Sequence, residues 1–438
     1  MAERSAEVSR RFPWAAICAA LGVSLATLAM TWRALPHARE QSDADHYITM
    51  AEGRPAEVIK PFANRILQPA AVRALATVTG MDIHQSFFIW GVVTLAALTL
   101  AVALMLDKTG SPHPAILTAA VLFNPCLLDM FTSYYLNGLF HAAVLACFLL
   151  LAAGAEARPR RQWLVATVLL IACLVRESTL LLAVCTAPLA FYKKCRTLAL
   201  GVVAAAVVGM LVVGYATRQS KPNIHGLGTL SYMMLKFPFN FSKNYLGFPP
   251  WSNTHAANAP GYPPPIFTVA VPHWLHWGNV KRVGMCAFAP RYPLNTYTTF
   301  LTLFGIAPAV LLAIARRRFS LLTWAPLWIG IAMTYGVSVA LIGPLTAAGM
   351  LRIIGYGWPA FWIAAPWLLF QLHPSEKECR YLLLCHILAC WTPWLLGMMH
   401  CPEFFFFALV LVIAAVLQWL SYRLVRQLSE TALLPGGA

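Results

Sequence analysis

Charged residues are scarce in this chain, and those present are unbalanced in sign. Asp, Glu, Lys and Arg make up 11% of its 438 residues, whereas a soluble protein carries about 25%. Hydrophobic residues make up 59%. This composition excludes a disordered protein and favours a polytopic membrane protein built from α-helices. The 32 Lys and Arg outnumber the 16 Asp and Glu. Such a basic excess is compatible with binding to nucleic acid, anionic lipid or an acidic substrate, and the positions of the charges along the chain distinguish these partners.

Several motifs for catalysis and metal binding are absent from the sequence. There is no CxxC pair, P-loop, G-x-S-x-G or Rossmann glycine motif, so ATP-driven and α/β-hydrolase chemistry have no support. Most of the 11 cysteines lie in apolar runs and are predicted to be buried hydrophobes without disulfides. His273 and His276 are spaced for one helix face, but no Cys or carboxylate accompanies them, so we predict no metal and no cofactor.

The apolar runs predict about twelve membrane segments with both termini on the same side, because a span needs roughly 20 apolar residues. The nine clearer runs are 14–34, 86–106, 134–154, 197–216, 296–315, 320–342, 357–372, 381–399 and 404–422. Three shorter ones are 115–128, 163–175 and 178–191. The first run lacks a cleavage-like end, so it is expected to be a span rather than a signal peptide.

The distribution of Lys and Arg orients these segments. If the N-terminus is cytoplasmic, about half of the cations fall in short inside segments, which is the positive-inside pattern. They are Arg4, Arg10, Arg11, Lys108, Arg158, Arg160, Arg161, Lys193, Lys194, Arg196, Arg316, Arg317, Arg318, Lys377, Arg380, Arg423 and Arg426. We therefore expect a single domain in a cytoplasmic (inner) membrane with cytoplasmic termini, and these cations imply no partner.

Two long segments fall outside the membrane in this topology. Loop 1, residues 35–85, contains PFANRILQPAAVRALATV, which predicts a helix along the membrane from near Pro61 to Gly80, with Arg65 and Arg73 off its apolar face. Loop 2, residues 217–295, is rich in Pro, Gly, Asn and aromatics, and it is too irregular for a span. It is expected to fold over the outer face.

Loop 2 contains no Asp or Glu at all. Its cations are Arg218, Lys221, Lys236, Lys243, Lys281, Arg282 and Arg291. A cationic surface without acids is typical of contact with phosphate, either in membrane lipid head groups or in a lipid-linked substrate. Nucleic acid is not expected as a partner, because this loop faces away from the cytoplasm.

A second group of ionisable residues lies close to the predicted spans. Glu177 follows Arg176 between two short segments, where charges are costly and usually face a cavity or a partner. We predict a polar pair lining an outward-facing cavity. The alternative is a tight turn in which the two residues only pair or extend to the interface.

Loop 1 supplies the other acidic candidates. Asp43 and Asp45 follow the first span, and a partly buried carboxylate there has the basicity that a catalytic base needs. The alternative is an ordinary acidic loop that caps a helix before Tyr47. Arg65 and Arg352 are candidate phosphate-binding residues, because a guanidinium binds phosphate oxygens with two parallel hydrogen bonds. The alternative is that both side chains extend to lipid head groups.

These residues together resemble the GT-C superfamily of integral-membrane glycosyltransferases. The resemblance rests on DADHY and PFANRILQP in loop 1, a short span ending in Asn124-Pro125, the turn FTSYYLNGLF, Arg176-Glu177-Ser178 and a late Arg352. It implies transfer of a sugar from a polyprenyl-phosphate donor to a lipid or glycan acceptor on the outer side. The chain lacks the large soluble C-terminal domain and the Trp-Asp acceptor motif of better-marked members, which leaves sugar and acceptor open.

The resemblance also assigns roles to individual residues. It makes Asp45 the catalytic base, with Asp43 as the alternative and Glu177 as a third acidic candidate. The donor phosphate is expected to contact Arg65, Arg176 and Arg352. The remaining members of the predicted substrate site are Tyr47, Tyr134, Asn137 and His141.

Two other functions fit the same composition. Twelve spans with both ends inside is a common transporter or flippase topology, although no repeat of the kind that many transporters contain is visible. A non-catalytic subunit of a cell-envelope complex is the third interpretation, and it predicts that Asp45 is dispensable.

Overall fold

The computed structural model of the chain describes residues 13–40, 43–221, 229–252, 263–275, 281–346, 350–399 and 403–431. Arg4, Arg10, Arg11 and His276, which entered the sequence predictions, lie outside these ranges.

Nearly all of the described secondary structure is helical, as predicted. In the first half, the α-helices are α1 (Trp14–Thr31), α2 (Ala44–Ala51), α3 (Leu67–Thr79), α4 (Ile83–Asp107), α5 (Pro114–Leu122), α6 (Pro125–Thr132), α7 (Gly138–Ala152), α8 (Pro159–Val175), α9 (Thr179–Tyr192) and α10 (Arg196–Ala216). The second half contains α11 (Thr229–Asn244), α12 (Arg291–Leu303), α13 (Ala307–Arg317), α14 (Phe319–Trp324), α15 (Leu327–Thr346), α16 (Met350–Gly355), a π-helix (Pro359–Ala364), α17 (Ala365–Phe370), α18 (Glu376–Met398) and α19 (Glu403–Thr431).

Within the described ranges, six helices are long and apolar enough to cross a membrane, namely α1, α4, α10, α15, α18 and α19. Two bent pairs, α5–α6 and α12–α13, raise the number to eight if each pair is one span. The chain is therefore built as an integral-membrane protein. Twelve crossings remain a prediction, because the other apolar helices are shorter than the roughly 20 residues that a straight span requires.

Two predicted straight spans are broken in the structure. The run 115–128 bends by 57° between α5 and α6, where the Asn124 side chain accepts hydrogen bonds from the backbone of Cys126 and Leu127 and starts a new helix at Pro125. The run 296–315 bends by 81° at Gly305, whose φ is +53°. In both runs, a residue that caps or breaks a helix is hidden inside an apolar stretch.

Loop 1 folds into short helices, and its predicted amphipathic helix is partly wrong. The α-helix begins at Leu67 rather than Pro61, because residues Phe62–Asn64 form a 3-10 turn and Arg65 leaves the helical conformation. It ends at Gly80 in the left-handed conformation (φ +71°), as expected. Arg65, which was predicted to lie off the apolar face of this helix, precedes the helix and is buried.

Loop 2 contains regular structure that the sequence pattern did not reveal. Besides α11, it forms a three-stranded antiparallel sheet of β1 (Pro250–Ser252), β2 (Pro265–Ala270) and β3 (Arg282–Cys286), in the order β1-β3-β2. Gly284 in the central strand allows close approach of its neighbour, since a Cβ there would lie 2.0 Å from the Phe267 carbonyl oxygen. The strands are too short and too rich in Pro and Gly to be read from alternation.

The connecting loops gather at two ends of the helix bundle. At one end, loop 1 meets the start of loop 2 through backbone hydrogen bonds of Lys221 to Val58 and Lys60, and Gln68 donates to the Tyr134 carbonyl oxygen at 3.1 Å. At the other end, Arg317 pairs with Glu430 at 3.3 Å. We call the first end the loop-1 end.

The centre of the bundle is the π-helix, all of whose residues are buried. It packs closely on α15, because a Cβ on Gly336 would lie 2.5 Å from the backbone nitrogen of Ala360. Isolated π-helical turns occur frequently beside functional sites. This one follows α16 and the buried Tyr356, which enters the polar network at the loop-1 end.

Candidate functional site

A buried ion pair joins loop 1 to the turn between α8 and α9. Arg65 donates from Nε to Glu177 Oε2 at 3.1 Å and from Nη2 to Oε1 at 2.6 Å. The two parallel bonds match the fork of a guanidinium to both carboxylate oxygens. The side chain of Arg65 is 10% exposed and that of Glu177 is 27% exposed, so the pair lies largely out of water.

The ion pair continues into a network that crosses the loop-1 end. Arg65 Nη1 donates to the hydroxyl of Tyr47 at 2.6 Å, and that hydroxyl donates to Asn137 Oδ1 at 3.4 Å. Arg176 Nη1 donates to the same Asn137 oxygen at 3.1 Å and to the Tyr356 hydroxyl at 2.7 Å. The guanidinium of Arg176 also lies 4.3 Å from the Tyr356 ring centre.

The break between α8 and α9 creates this arrangement. Helix α8 ends at Val175, and Arg176 adopts an extended conformation with φ −159° and ψ 141°. Asn137 Nδ2 donates to the Val175 carbonyl oxygen at 2.6 Å, and the Thr179 hydroxyl donates to Ala172 O at 2.9 Å, so the carbonyls exposed by the break have partners. Because the backbone is extended at Arg176, the side chains of Arg176 and Glu177 do not pair with each other. Arg176 bonds Asn137 and Tyr356, whereas Glu177 bonds Arg65.

The network contains more positive than negative charge. Burial alone raises the pKa of Glu177, but the charge and hydrogen bonds of Arg65, with Arg176 nearby, lower it to about 2. Burial raises the pKa of Tyr47 despite the two arginines, so its hydroxyl stays protonated and neutral. The two guanidinium groups are therefore balanced by one carboxylate. A buried excess charge is costly, which makes an anionic ligand favourable here.

A cavity of about 310 Å³ lies beside the network. One part of its wall is polar and consists of Lys60, Asn64, Arg176, Glu177 and Thr217. The other part is apolar or small and consists of Cys173, Leu180, Gly209, Met210, Val213 and Gly214. Arg176 makes its described hydrogen bonds through Nη1 alone, so within the described ranges Nε and Nη2 are left for a ligand.

The acidic residues of loop 1 lie elsewhere. Asp45 is exposed on α2, whereas Tyr47, two residues later, is buried in the network, as expected for positions that do not share a helix face. Asp45 makes no contact with Arg65 or Arg176 in the part of the chain that the structure describes. Asp43 occupies the N-cap position of α2, where its side chain does not bond the helix backbone.

The other predicted site residues divide between the network and its surroundings. Asn137 is central to it, and His141 is adjacent, with Nε2 3.5 Å from the Ser178 hydroxyl and its ring edge-on to Tyr356. Tyr134 stacks on Tyr135 instead and does not line the cavity. Arg352 belongs to α16, but its side chain lies outside the described structure.

Sequence reasoning missed several residues of this site. Tyr356 lies in GYGWP, only four residues after Arg352, but nothing in that motif identifies Arg176 as its partner. Lys60 and Asn64 flank Pro61 and resemble ordinary loop residues. Gly209 and Gly214 are two of several small residues in α10, so the sequence does not single them out as the wall of a cavity.

The ion pair predicts a pH-dependent stability. Because the folded pKa of Glu177 is about 2, below its ordinary value of 4.5, its contribution is fully present above pH 4.5 and is lost as the pH falls toward 2. We expect the difference in unfolding free energy between wild type and Glu177→Gln to shrink across that interval. Chemical denaturation in detergent from pH 7 downward measures it, and a difference independent of pH would contradict the ion pair.

The chain matches no protein-family model, no curated protein and no solved structure. Function therefore has to be argued from the site itself.

Proposed function

We propose that the protein is an integral-membrane glycosyltransferase that takes a sugar from a polyprenyl-phosphate-linked donor and passes it to a lipid or glycan acceptor. The observation that supports this proposal is the cavity, which joins a cationic end to an apolar wall within one space. A lipid phosphate has the same division into an anionic head and an apolar chain. In the proposed orientation, the loop-1 end faces away from the cytoplasm.

The cationic end fits the donor phosphate. Arg176 is held by Asn137 and Tyr356 in one orientation, so it presents a fixed charge without having to be reorganised. Lys60 adds a second positive charge to the same wall. Arg65 is already occupied by Glu177 and Tyr47, so we assign it to positioning rather than to phosphate binding.

The apolar wall fits the lipid chain. It is formed largely by α10, a helix with many exposed apolar side chains that would face lipid. Gly214 has no neighbouring atom within 4 Å of a Cβ position, and Met210 beside it is 48% exposed. A donor in the membrane could therefore reach Arg176 from the side, with its chain along α10.

The reaction needs one base and one stabilised leaving group. Asp45 accepts the proton of the acceptor hydroxyl as that oxygen bonds to the anomeric carbon, and the bond from this carbon to the phosphate oxygen breaks. The lipid phosphate leaves as an anion beside Arg176 and Lys60. Asp45 does not line the cavity, so this step requires the bound acceptor to bring its hydroxyl within hydrogen-bond reach of Asp45. Glu177 is a poor base, because Arg65 occupies both of its oxygens.

Direct transfer with purified protein tests this proposal. We expect incorporation from a radiolabelled polyprenyl-phosphate sugar into extracted acceptor, and we expect Asp45→Asn to slow it by about 10²-fold, since a positioned base contributes 10²–10⁴-fold. Asp43→Asn is the matched control, with a smaller effect expected. No transfer with any donor, together with full cellular complementation by both variants, would exclude the enzyme.

The same cavity also fits a flippase for a lipid phosphate, because lateral access and a cationic end serve binding as well as transfer. Proteoliposomes containing a fluorescent lipid phosphate distinguish the two functions. A flippase moves the label between leaflets without forming a new glycosidic bond, whereas the transferase forms product from donor supplied on the loop-1 side.

A further inference from the structure

A second cationic site lies where loop 2 returns to the membrane-crossing helices. The end of α11 is fixed to the end of α15, since Asn244 Nδ2 donates to the Pro344 carbonyl oxygen at 2.7 Å and Asn240 Nδ2 donates to that of Leu345 at 2.9 Å. Because α15 is long and apolar enough to span the membrane, the residues that follow α11 lie at the edge of the bilayer.

An exposed apolar ledge follows directly on α11. It consists of Leu246, Phe248 and Phe288, which are 50%, 38% and 55% exposed, and the two rings lie 5.3 Å apart. Gly247, with φ +78°, makes room for Phe288, because a Cβ there would lie 2.6 Å from that ring. The ledge is therefore a formed surface rather than a group of unrelated side chains.

The ledge is held rigidly on the end of α11. The backbone nitrogen of Phe248 donates to Ser242 O at 2.9 Å, and that of Ala289 donates to Gly247 O at 2.8 Å. The Ser242 hydroxyl donates to the Phe248 carbonyl oxygen at 2.6 Å. A preformed surface loses little conformational entropy when a ligand binds.

Two cations lie on one aromatic ring next to this ledge. Lys243 Nζ is 4.6 Å and Arg291 Cζ is 4.9 Å from the centre of the Tyr292 ring, and Arg291 also donates to the Tyr292 hydroxyl at 3.1 Å. Burial, with Arg291 nearby, lowers the pKa of Lys243. Since no Asp or Glu occurs between residues 217 and 295, no acid of the loop itself balances this pair.

We propose that Lys243, Arg291 and Tyr292 bind the phosphate of an anionic phospholipid, whose chains lie along Leu246, Phe248 and Phe288. None of these residues lines the cavity described above, so the site is separate from the substrate site. It fixes loop 2 to the membrane surface, and it does not depend on the glycosyltransferase proposal.

Three observations favour a bilayer lipid over a soluble ion or a protein. The cations and the apolar ledge are adjacent, which matches one amphipathic molecule. The site lies at the end of a spanning helix, where aromatic residues are typical of the membrane interface. The sequence of the loop, residues 217–295, contains seven Lys and Arg and no Asp or Glu, which is typical of surfaces that meet anionic lipid.

Competitive lipid retention tests this site. The full-length protein is reconstituted in nanodiscs of phosphatidylcholine and phosphatidylglycerol, and the lipid that remains bound after transfer to detergent is counted by native mass spectrometry. We expect wild type to retain phosphatidylglycerol preferentially. Each of Lys243→Gln and Arg291→Gln should lower that preference about fivefold, since one cation near an anionic surface contributes about 1 kcal/mol.

The controls separate this site from general charge and from folding. Lys281→Gln with Arg282→Gln removes the same charge from the same loop and should retain the preference, whereas an equal loss would overturn the site. The charge-conserving pair Lys243→Arg with Arg291→Lys should retain most of it, and thermal unfolding in phosphatidylcholine checks that each variant is folded. If inorganic phosphate displaces the lipid completely and Phe248→Ser with Phe288→Ser has no effect, the lipid assignment is wrong.

Discussion

Replacement of Arg176 by Gln is expected to lower kcat/KM for a lipid-phosphate sugar donor by about 10³-fold, the scale reported for an arginine that stabilises phosphoryl charge. Arg176 is the network arginine that lines the cavity, and its hydrogen bonds within the described ranges all come from Nη1. Its role is strongest as the bond to the phosphate breaks and charge grows on the leaving oxygen. The loss should therefore appear mainly in kcat.

Two further variants separate the charge of Arg176 from its orientation. Arg176→Lys keeps the charge and should recover part of the activity. Gly138→Ala leaves Arg176 intact but places a methyl group 2.6 Å from the Tyr356 hydroxyl, which displaces a partner of Arg176. Gly397→Ala, whose new methyl group meets no atom within 4 Å, is the control. If Arg176→Gln retains wild-type turnover, Arg176 does not bind the donor phosphate.

The sequence alone predicted the class of fold and the clustering of several site residues. Scarce charge and long apolar runs identified a helical membrane protein, whereas the twelve crossings and the orientation drawn from Lys and Arg remain predictions. Arg176 and Glu177 were selected because charged residues beside short apolar segments are costly without a partner, and Asn137 was included as a member of the predicted substrate site. These inferences succeeded because each depends on local composition.

The partners within the site could not be predicted in the same way. Arg65 and Glu177 are 112 residues apart in the chain, and nothing local distinguishes Arg65 from an arginine that reaches lipid head groups. Glu177 was expected to pair with Arg176, its neighbour, but the extended backbone at Arg176 sends the two side chains to different partners. Tyr356 was also missed, because it lies 180 residues from Arg176 in the chain and becomes its hydrogen-bond partner only in the folded protein.

The excess positive charge of the chain now has three separate explanations. About half of the cations fall in segments that are predicted to lie inside, where they would act as a topology signal and require no ligand. Arg65 is neutralised by Glu177, which makes it part of the scaffold. Two further places, Arg176 with Lys60 and Lys243 with Arg291, combine cations with apolar surface. Phosphate attached to lipid is the chemistry that they share.

The Arg65–Glu177 pair makes a strong prediction for stability. Arg65→Met and Glu177→Leu should each lower the free energy of unfolding by about 3–5 kcal/mol, because each leaves a buried charge without its partner. The double variant Arg65→Met with Glu177→Leu removes both charges and should be much closer to wild type than the sum of the single changes. Unfolding in mixed detergent micelles measures all four proteins as a double-mutant cycle.

The exposed pair of Arg54 and Glu57 is the matched control for this cycle. Its nitrogen–oxygen distance of 2.8 Å is similar to that of the buried pair, but both side chains are about half exposed. Water and salt screen such a pair, so its removal should change stability little. If the single Arg65 and Glu177 variants are as mild as those of Arg54 and Glu57, or if their effects simply add, then loop 1 is not held to the α8–α9 turn by a buried ion pair. The fixed position of the neighbouring Arg176 would then need another cause.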